Sequence, residues 1–83
     1  MEINGLLMDL KDNVVTCVAL VPAGEQVVYR RGDEICTLTA QEEIPCCHKV
    51  ALADLAEGDQ VIKYGELIGR TTALVEKGHW VSH

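Results

Sequence analysis

Basic residues are scarce in this 83-residue chain. Lys and Arg together number 7 against 13 Asp and Glu, which leaves a formal net charge of −6 at pH 7. Nucleic acids and anionic membrane surfaces are bound largely through basic side chains, so the sequence argues against both as partners. Apolar residues make up 48% and charged residues 24% of the chain, as in an ordinary globular protein.

A long hydrophobic run is also missing. The longest apolar stretch covers residues 14–23, is interrupted by Thr16 and Pro22, and is well short of the ~20 residues that cross a bilayer. Near the N-terminus stands Glu2, where a secretory signal has basic residues, and no small-residue cleavage site follows. We therefore expect a cytoplasmic protein.

The four cysteines lack the spacing of a disulfide framework, and in a reducing cytosol all are expected to be free thiols. Cys17 and Cys36 lie in strand-like sequence, where they are interpreted as small buried hydrophobic residues. For the adjacent pair Cys46 and Cys47, we expect at least one side chain to pack in the interior.

Strand patterns dominate the rest of the sequence. Residues 14–21 are rich in β-branched side chains and predict a buried strand. Residues 27–30 and 35–39 predict a hairpin, and the Arg-Gly-Asp triplet at 31–33 is interpreted as its turn. The sequence therefore predicts a mainly β protein with short strands.

Two stretches predict short helical turns, residues 52–57 and 72–77, with Thr72 as an N-cap of the second. Each is followed by a glycine, Gly58 or Gly78, placed to adopt the left-handed conformation that ends helices.

A short pattern occurs three times, beginning at Val21, Leu55 and Val75. It consists of an apolar residue, two variable positions, Gly, two mostly polar positions and Val. We interpret each copy as a turn whose Gly takes positive φ, followed by a strand whose Val points inward. The unequal spacing excludes a solenoid and favours a small curved sheet or barrel, a single domain over residues 1–83.

Polar residues able to carry chemistry follow Pro45, which favours an extended or turning chain. His48 belongs to the residue type that titrates near neutrality, and Lys49 supplies a cation. Zinc binding by Cys46, Cys47 and His48 is a less favoured alternative, because consecutive residues seldom converge on one ion. A reactive thiol beside Lys49 is another.

The order and spacing of several blocks resemble one family, from about Leu10 to Val81. The chain is similar to the SAF (antifreeze-like) domain of altronate and galactarate dehydratases, and to the small subunit of sulfolactate sulfo-lyase. The blocks that carry the resemblance are Asp12-Asn13-Val14, Ala23-Gly24, Ile44-Pro45 followed by His48-Lys49 and Ala51, Gly58, Ile62-Lys63-Tyr64-Gly65-Glu66 with Ile68-Gly69, and Gly78 with Trp80-Val81.

The resemblance implies a β-clip fold and a place in a lyase that removes water from a hexonate or aldarate, generally with a divalent metal such as iron. This chain has too few acids, bases and metal ligands for that chemistry, so a large catalytic subunit is expected as partner, and homo-oligomers are left open. No catalytic or metal-binding residue is assigned to the chain itself. The residues expected to meet the sugar acid are Asn13, His48, Lys49, Lys63 and Tyr64.

Two departures from the family pattern stand out. Cys47 occupies a position that is usually Gly, and if φ is positive there the side chain costs about 1 kcal/mol of strain. The family also tends to close with a His-x-His-Asn run after Trp-Val, whereas this chain has Ser82 and stops at His83.

Three other functions are compatible with the sequence. A stand-alone module would bind hexonates without an enzyme partner. A structural subunit would stabilise a large chain without touching substrate, through a large apolar contact patch. A subunit of a sulfo-lyase would serve a different leaving group.

Overall fold

The computed structural model describes residues 2–81, in which the regular elements are eight strands and no helix. No helix that could cross a membrane therefore occurs in this range. The prediction of a mainly β protein is confirmed. The strands are β1 (Gly5–Leu6), β2 (Val14–Cys17), β3 (Gln26–Arg31), β4 (Glu34–Thr39), β5 (Lys49–Ala51), β6 (Gln60–Lys63), β7 (Glu66–Arg70) and β8 (Trp80–Val81).

The strands form one four-stranded sheet and two hairpins, all with antiparallel pairing. The sheet has the order β1-β2-β5-β8, and its central register pairs Val15 with Val50 and Lys49 with Val81. The hairpins are β3-β4 and β6-β7. The Arg-Gly-Asp triplet lies at the tip of the first hairpin, as predicted, with Gly32 at φ 59°.

Two apolar clusters make up the core, and the central strands divide their side chains between them. On β2, Val15 belongs to the first cluster and Val14 to the second; on β5, Val50 and Ala51 divide in the same way. Successive side chains of a strand point to opposite faces of the sheet. The sheet therefore has a packed layer on each side, one holding Val27 of the first hairpin and its neighbours, the other holding Val61 of the second and its neighbours.

Four turns of the same type lead into β3, β5, β6 and β8. In each, the N–H of the fourth residue donates to the carbonyl of the first, at 3.0–3.2 Å, and the third residue has positive φ, which defines a type II turn. In each turn, the N–H of the third residue also donates to the carbonyl of a residue in a neighbouring segment, and the N–H of that same residue donates to the carbonyl of the fourth. The third residues are Gly24 (φ 86°), Cys47 (φ 71°), Gly58 (φ 84°) and Gly78 (φ 87°).

The sequence pattern predicted three of these turns and missed the fourth. Positive φ is confirmed at the three glycines of the pattern. The turn after Ile44 escaped the pattern because it has Cys47 in place of glycine. At Cys47 the condition for backbone strain is met, because φ is 71° there.

The two predicted helical turns, residues 52–57 and 72–77, are wrong. Leu55 and Val75 instead form an isolated antiparallel bridge, donating to each other's carbonyls at 2.7 and 2.8 Å. A backbone N–H committed to a distant segment cannot make the local bonds of a helix. Val21 and Ile44 form the corresponding bridge beneath the first hairpin.

An aspartate holds the tip of the second hairpin. Asp12 is 4% exposed, and its carboxylate accepts hydrogen bonds from the backbone N–H groups of Tyr64 (3.1 Å), Gly65 (2.8 Å) and Asp9 (3.1 Å). Tyr64 and Gly65 have φ of 58° and 72°, the two left-handed positions of a type I′ turn. These bonds determine where the tip lies.

Two asparagines bind the hairpins to the sheet in the same manner. Asn4 donates its side-chain N–H to the carbonyl of Gln26 (3.0 Å) and accepts from the N–H of Val28 (2.7 Å). Asn13 repeats this one hairpin later, since its amide bonds Gln60 and Ile62, both at 2.8 Å. Each side-chain amide thus makes the pair of hydrogen bonds with a hairpin strand that the backbone of a neighbouring strand would otherwise make.

Replacing Cys47 with Gly tests the strain in the turn before β5. A left-handed backbone costs a residue with a Cβ about 1–2 kcal/mol, and Gly avoids this cost. Gly also gives the unfolded chain more conformational freedom, which offsets part of the gain in stability. Cys47→Gly should raise the free energy of unfolding by about 0.5–1 kcal/mol, measured by urea denaturation under reducing conditions. Cys47→Ala, which removes the sulfur and keeps the Cβ, should bring no such gain; an equal gain in both variants would rule out backbone strain as the cause.

Replacing Asp12 with Ala tests the anchor of the second hairpin. Hydrogen bonds to a charged group contribute about 1.5–3 kcal/mol, and their loss leaves backbone donors near the tip unpaired. We expect a loss of about 2–3 kcal/mol in the free energy of unfolding. Asp33→Ala, at the exposed tip of the other hairpin, should change it by less than about 0.5 kcal/mol. Equal losses in the two variants would contradict the anchoring role.

Candidate functional site

The turn before β5 places two of the predicted site residues. The carbonyl of its first residue, Pro45, accepts a hydrogen bond from the N–H of His48 at 3.2 Å. His48 is exposed, and the next residue, Lys49, begins β5. The backbone of this turn is bound to β2, because Cys17 accepts from Cys47 at 2.7 Å and donates to His48 at 2.9 Å. The sheet therefore holds both side chains at a defined position.

His48 contacts the tryptophan. The indole Nε1 of Trp80 lies 3.1 Å from His48 Nδ1, and the two rings meet edge to face with centroids 5.1 Å apart. Trp80 is partly buried and packs against the first core cluster. The contact with His48 was not predicted, since 32 residues separate the two in sequence.

Lys49 and Lys63 lie close enough for their charges to repel. Partial burial lowers the pKa of Lys49 below its ordinary value, and the positive charge of Lys63 lowers it further. In residues 2–81, neither lysine forms an ion pair with a carboxylate. The two lysines thus influence each other electrostatically and have no ion-pair partner among the described side chains, in a chain whose net charge is −6.

Tyr64 joins this pair through Lys63. The Lys63 Nζ lies 5.1 Å from the centroid of the Tyr64 ring, within the range of a cation–π contact. Tyr64 is 60% exposed and sits at the hairpin tip that Asp12 anchors. Tyr64 therefore lies beside Lys63, the charge of Lys63 acts on Lys49, and His48 precedes Lys49 in the chain. Within residues 2–81, no hydrogen bond or ring contact joins His48 to Lys63 or Tyr64.

Asn13 has a structural task in this arrangement. Both ends of its amide are engaged by the backbone of β6, the strand that carries Lys63. It positions the lysine rather than presenting an unoccupied amide. A direct contact between Asn13 and a ligand stays a prediction, as does ligand contact by His48, Lys49, Lys63 and Tyr64.

Glu42 contacts two residues near the C-terminus, and the sequence did not predict these contacts. Its carboxylate lies 2.9 Å from His79 Nδ1 and accepts the backbone N–H of Trp80 at 3.1 Å. The hydrogen bond with His79 lowers the pKa of Glu42, and although partial desolvation opposes this effect, the Trp80 N–H and the charge of His79 reinforce it. Nothing local in the sequence signals this contact, because Glu42 and His79 are 37 residues apart.

A small depression of about 170 Å³ lies on the Glu42 side of Trp80, lined by Glu42, Leu74, Val75, Glu76, His79 and Trp80. Two of these side chains are carboxylates. An anionic ligand would be repelled there.

The adjacent cysteines differ from the prediction. Cys46 and Cys47 are both exposed, with their Sγ atoms 3.4 Å apart, because the turn directs this segment outward from the sheet. Hydrogen bonding with Cys47 raises the pKa of Cys46, with smaller contributions from desolvation and charge. Cys17 is fully buried, as predicted, and burial raises its pKa to about 11. Cys36 is half-buried against the first cluster. All four are free thiols.

The zinc alternative can be compared with the positions of the side chains in residues 2–81. No three side chains among His, Cys, Asp and Glu converge there on a common point that could hold an ion. Among the described residues, the zinc alternative at Cys46, Cys47 and His48 therefore has no ligand set. Ser82 and His83, where the family's closing run would begin, lie outside the described residues.

Comparison with known proteins places these features in a family. Over residues 3–83 the chain matches the family described as altronate/galactarate dehydratase SAF domain. It is 37% identical over 84 aligned positions to the (2R)-sulfolactate sulfo-lyase subunit alpha of Chromohalobacter salexigens, which covers 98% of this chain and 89% of that protein.

Two further relatives match about half of the chain. The subunit of the same name from Paracoccus pantotrophus is 54% identical over 41 residues, 49% of this chain and 61% of that protein. Galactarate dehydratase (L-threo-forming) of Escherichia coli K12 is 42% identical over 40 residues, 48% of this chain and only 8% of that protein. The matched region is thus a small part of the dehydratase and most of the sulfo-lyase subunit. With its all-strand architecture and a match over nearly its whole length, the chain belongs to the SAF domain family of the altronate/galactarate dehydratases.

Proposed function

We propose that this chain is an accessory domain of a lyase acting on a sugar acid, and that it presents cationic and hydroxyl-binding side chains to a substrate held mainly by a larger catalytic partner. Family membership supports the lyase system. Two relatives are named as the alpha subunit of an enzyme, which supports the existence of a partner chain.

The lysine pair is the observation that carries this proposal. Keeping Lys49 and Lys63 together costs free energy, both through like-charge repulsion and through the partial burial of Lys49. A carboxylate between them would replace the repulsion with two attractions. A local cationic spot on an acidic chain selects a small anion rather than a polyanion such as nucleic acid.

The division of labour follows from the chemistry of the reaction. Elimination from a hydroxy acid moves the proton α to the carboxylate onto a base, and the electron pair of that C–H bond forms the new C=C bond. The β C–O bond breaks, and the departing hydroxyl takes a proton from an acid and leaves as water. In this chain, Lys49 and Lys63 would bind the carboxylate and stabilise the negative charge that develops on it as the proton leaves. His48 and Tyr64 would bind oxygens along the sugar, with Asn13 supporting β6.

The base and a divalent metal such as iron are assigned in this proposal to the partner. The described residues bring no metal-binding group together. No step on this chain is therefore assigned to a metal. The contribution of the domain is binding and orientation, so the isolated chain is expected to be inactive as a lyase.

A sulfo-lyase is a second candidate, favoured by one specific observation. The match to the alpha subunit from C. salexigens extends over 98% of this chain and 89% of that protein. Sulfonate and carboxylate groups are both anionic oxygen acceptors, so the same lysine pair suits either substrate. The two candidates differ in the β bond that breaks, C–O or C–S, and assays of the assembled enzyme with a hexonate and with sulfolactate distinguish them.

The second hairpin is the surface that we assign to the catalytic partner. All five residues of β7 are exposed, including Leu67 (51%) and Ile68 (42%), and the same hairpin carries Lys63 and Tyr64. A substrate shared between this hairpin and another chain requires that chain to lie against it. Exposed apolar side chains beside a ligand site fit such a contact.

Replacing Lys63 with Met tests the lysine pair in the assembled enzyme. We expect KM for the sugar acid to rise about 10-fold, equivalent to about 1.4 kcal/mol, because one of two cations that meet the carboxylate is lost. Lys77→Met, at an exposed turn position outside the site, serves as the matched control and should leave KM within about twofold. An unchanged KM in Lys63→Met would exclude this lysine from the substrate site.

The same variant should change the titration of Lys49. With the charge of Lys63 removed, the pKa of Lys49 should rise toward its ordinary value, as followed by NMR of the lysine side chain. Between the lowered pKa and 10.5 the folded chain binds fewer protons than the unfolded chain, so the free energy of unfolding increases with pH in that range. Lys63→Met should flatten this increase. A pKa of Lys49 that does not move would mean that the two charges are not coupled.

Replacing Leu67 with Glu tests the partner surface. A charge at the centre of an apolar contact should weaken association of the chain with the catalytic subunit at least 10-fold in Kd, measured by calorimetry or co-purification. Ile35→Glu is the control, because Ile35 lies on the first hairpin with nearly the same exposure, 52%. Equal weakening by both substitutions, or by neither, would contradict the assignment of the second hairpin.

A further inference from the structure

The contact between Trp80 and His48 defines which nitrogen of the imidazole carries the proton. The indole N–H can only donate, so His48 Nδ1, 3.1 Å away, must act as the acceptor. A neutral imidazole that accepts at Nδ1 carries its hydrogen on Nε2. His48 then offers a ligand a donor at Nε2 and no acceptor.

Trp80 is held in place independently of this bond. Its backbone pairs with Val50 on β5, its N–H donates to Glu42 at 3.1 Å, and its side chain packs against the first core cluster. The indole therefore does not need His48 to keep its orientation. Trp80 therefore orients the exposed His48 side chain, and not the reverse.

The neighbouring histidine shows the opposite arrangement. His79 Nδ1 lies 2.9 Å from the carboxylate of Glu42, which can only accept. A neutral His79 must carry its hydrogen on Nδ1. The two histidines hold equivalent positions, each being the fourth residue of its turn, so the different partners of their Nδ1 atoms account for the difference.

We propose that Trp80 is a positioning residue that holds His48 in the Nε2–H tautomer, so that His48 donates a hydrogen bond to an oxygen of the anionic substrate and does not act as a general base. The ligand group that fits is an acceptor: a carboxylate, sulfonate or hydroxyl oxygen beside Lys49. To accept a proton at Nε2 from a neutral, singly protonated state, the ring would need its hydrogen on Nδ1, which breaks the bond with the indole. This inference refines the proposed function and rests on it only for the identity of the ligand.

The tautomers can be observed directly in the full chain without any ligand. Long-range ¹H–¹⁵N NMR in mildly alkaline solution, where imidazole is neutral, should show His48 with its hydrogen on Nε2 and His79 with its hydrogen on Nδ1. The spectrum of His48→Gln assigns the signals. His48 found mainly as the Nδ1–H tautomer would overturn the proposal.

Trp80→Phe keeps an aromatic ring and removes the donor. The share of the Nδ1–H tautomer of His48 should rise roughly 3- to 10-fold, the effect of losing one hydrogen bond. Incorporation of benzothienylalanine at position 80, which has the shape of tryptophan without the N–H, gives the same test if Phe disturbs packing. Glu42→Gln should change the tautomer of His79 and leave that of His48 unaltered. A His48 ratio that stays the same in both position-80 variants would also overturn the proposal.

Kinetics of the assembled enzyme separate this inference from the proposed function. Trp80→Phe should raise KM by about 3- to 10-fold and leave the pH profile of kcat unchanged, because His48 supplies a hydrogen bond and no proton transfer. Loss of a limb in the pH profile of the His48→Gln enzyme would show that His48 is a base and would overturn the inference. If the tautomer changes as expected but KM does not, Trp80 is confirmed as the residue that sets the tautomer, and hydrogen bonding of His48 to the substrate is overturned.

Discussion

Four type II turns, each with a left-handed third residue, hold the sheet of this domain together, because three of its four strands have only two or three residues. β1 and β8 have two residues each and β5 has three. Each turn uses the N–H of its third residue and the carbonyl of its fourth to bond one residue of a neighbouring segment. His48 and His79 are fourth residues of two such turns. The geometry of the candidate site therefore follows from the turns.

Electrostatics sets one part of the surface apart from the rest. The chain carries an excess of six negative charges, yet the charge of Lys63 lowers the pKa of Lys49, and neither lysine forms an ion pair in residues 2–81. Asn13 binds the strand that carries Lys63, and Asp12 binds the tip beyond it. Two neighbouring side chains just before β2 thus fix the hairpin that carries Lys63, the lysine whose charge lowers the pKa of Lys49.

Local rules recovered much of the fold. The β-branched run at residues 14–21 predicted a buried strand, of which only residues 14–17 form β2, while Val18 and Leu20 are exposed. The first hairpin and, through glycine spacing, three of the four turns were predicted correctly. The same rules failed where a distant segment decided the outcome. Leu55 and Val75 bond each other across 20 residues, so the segments around them are turns with a bridge and not helices. Cys47 concealed the fourth turn, since a cysteine gives no signal of positive φ.

The sequence by itself determined the class of the protein: its acidic balance, its short strands and its resemblance to a SAF domain follow from residue types and their order. It also named the lysines and the histidine that the candidate site contains. Only the tertiary structure decided how those side chains act. The proximity of Lys49 to Lys63, the acceptor role of His48 Nδ1 and the position of Glu42 all depend on contacts between residues far apart in the chain. Such contacts arise when the turns close, and no local pattern encodes them.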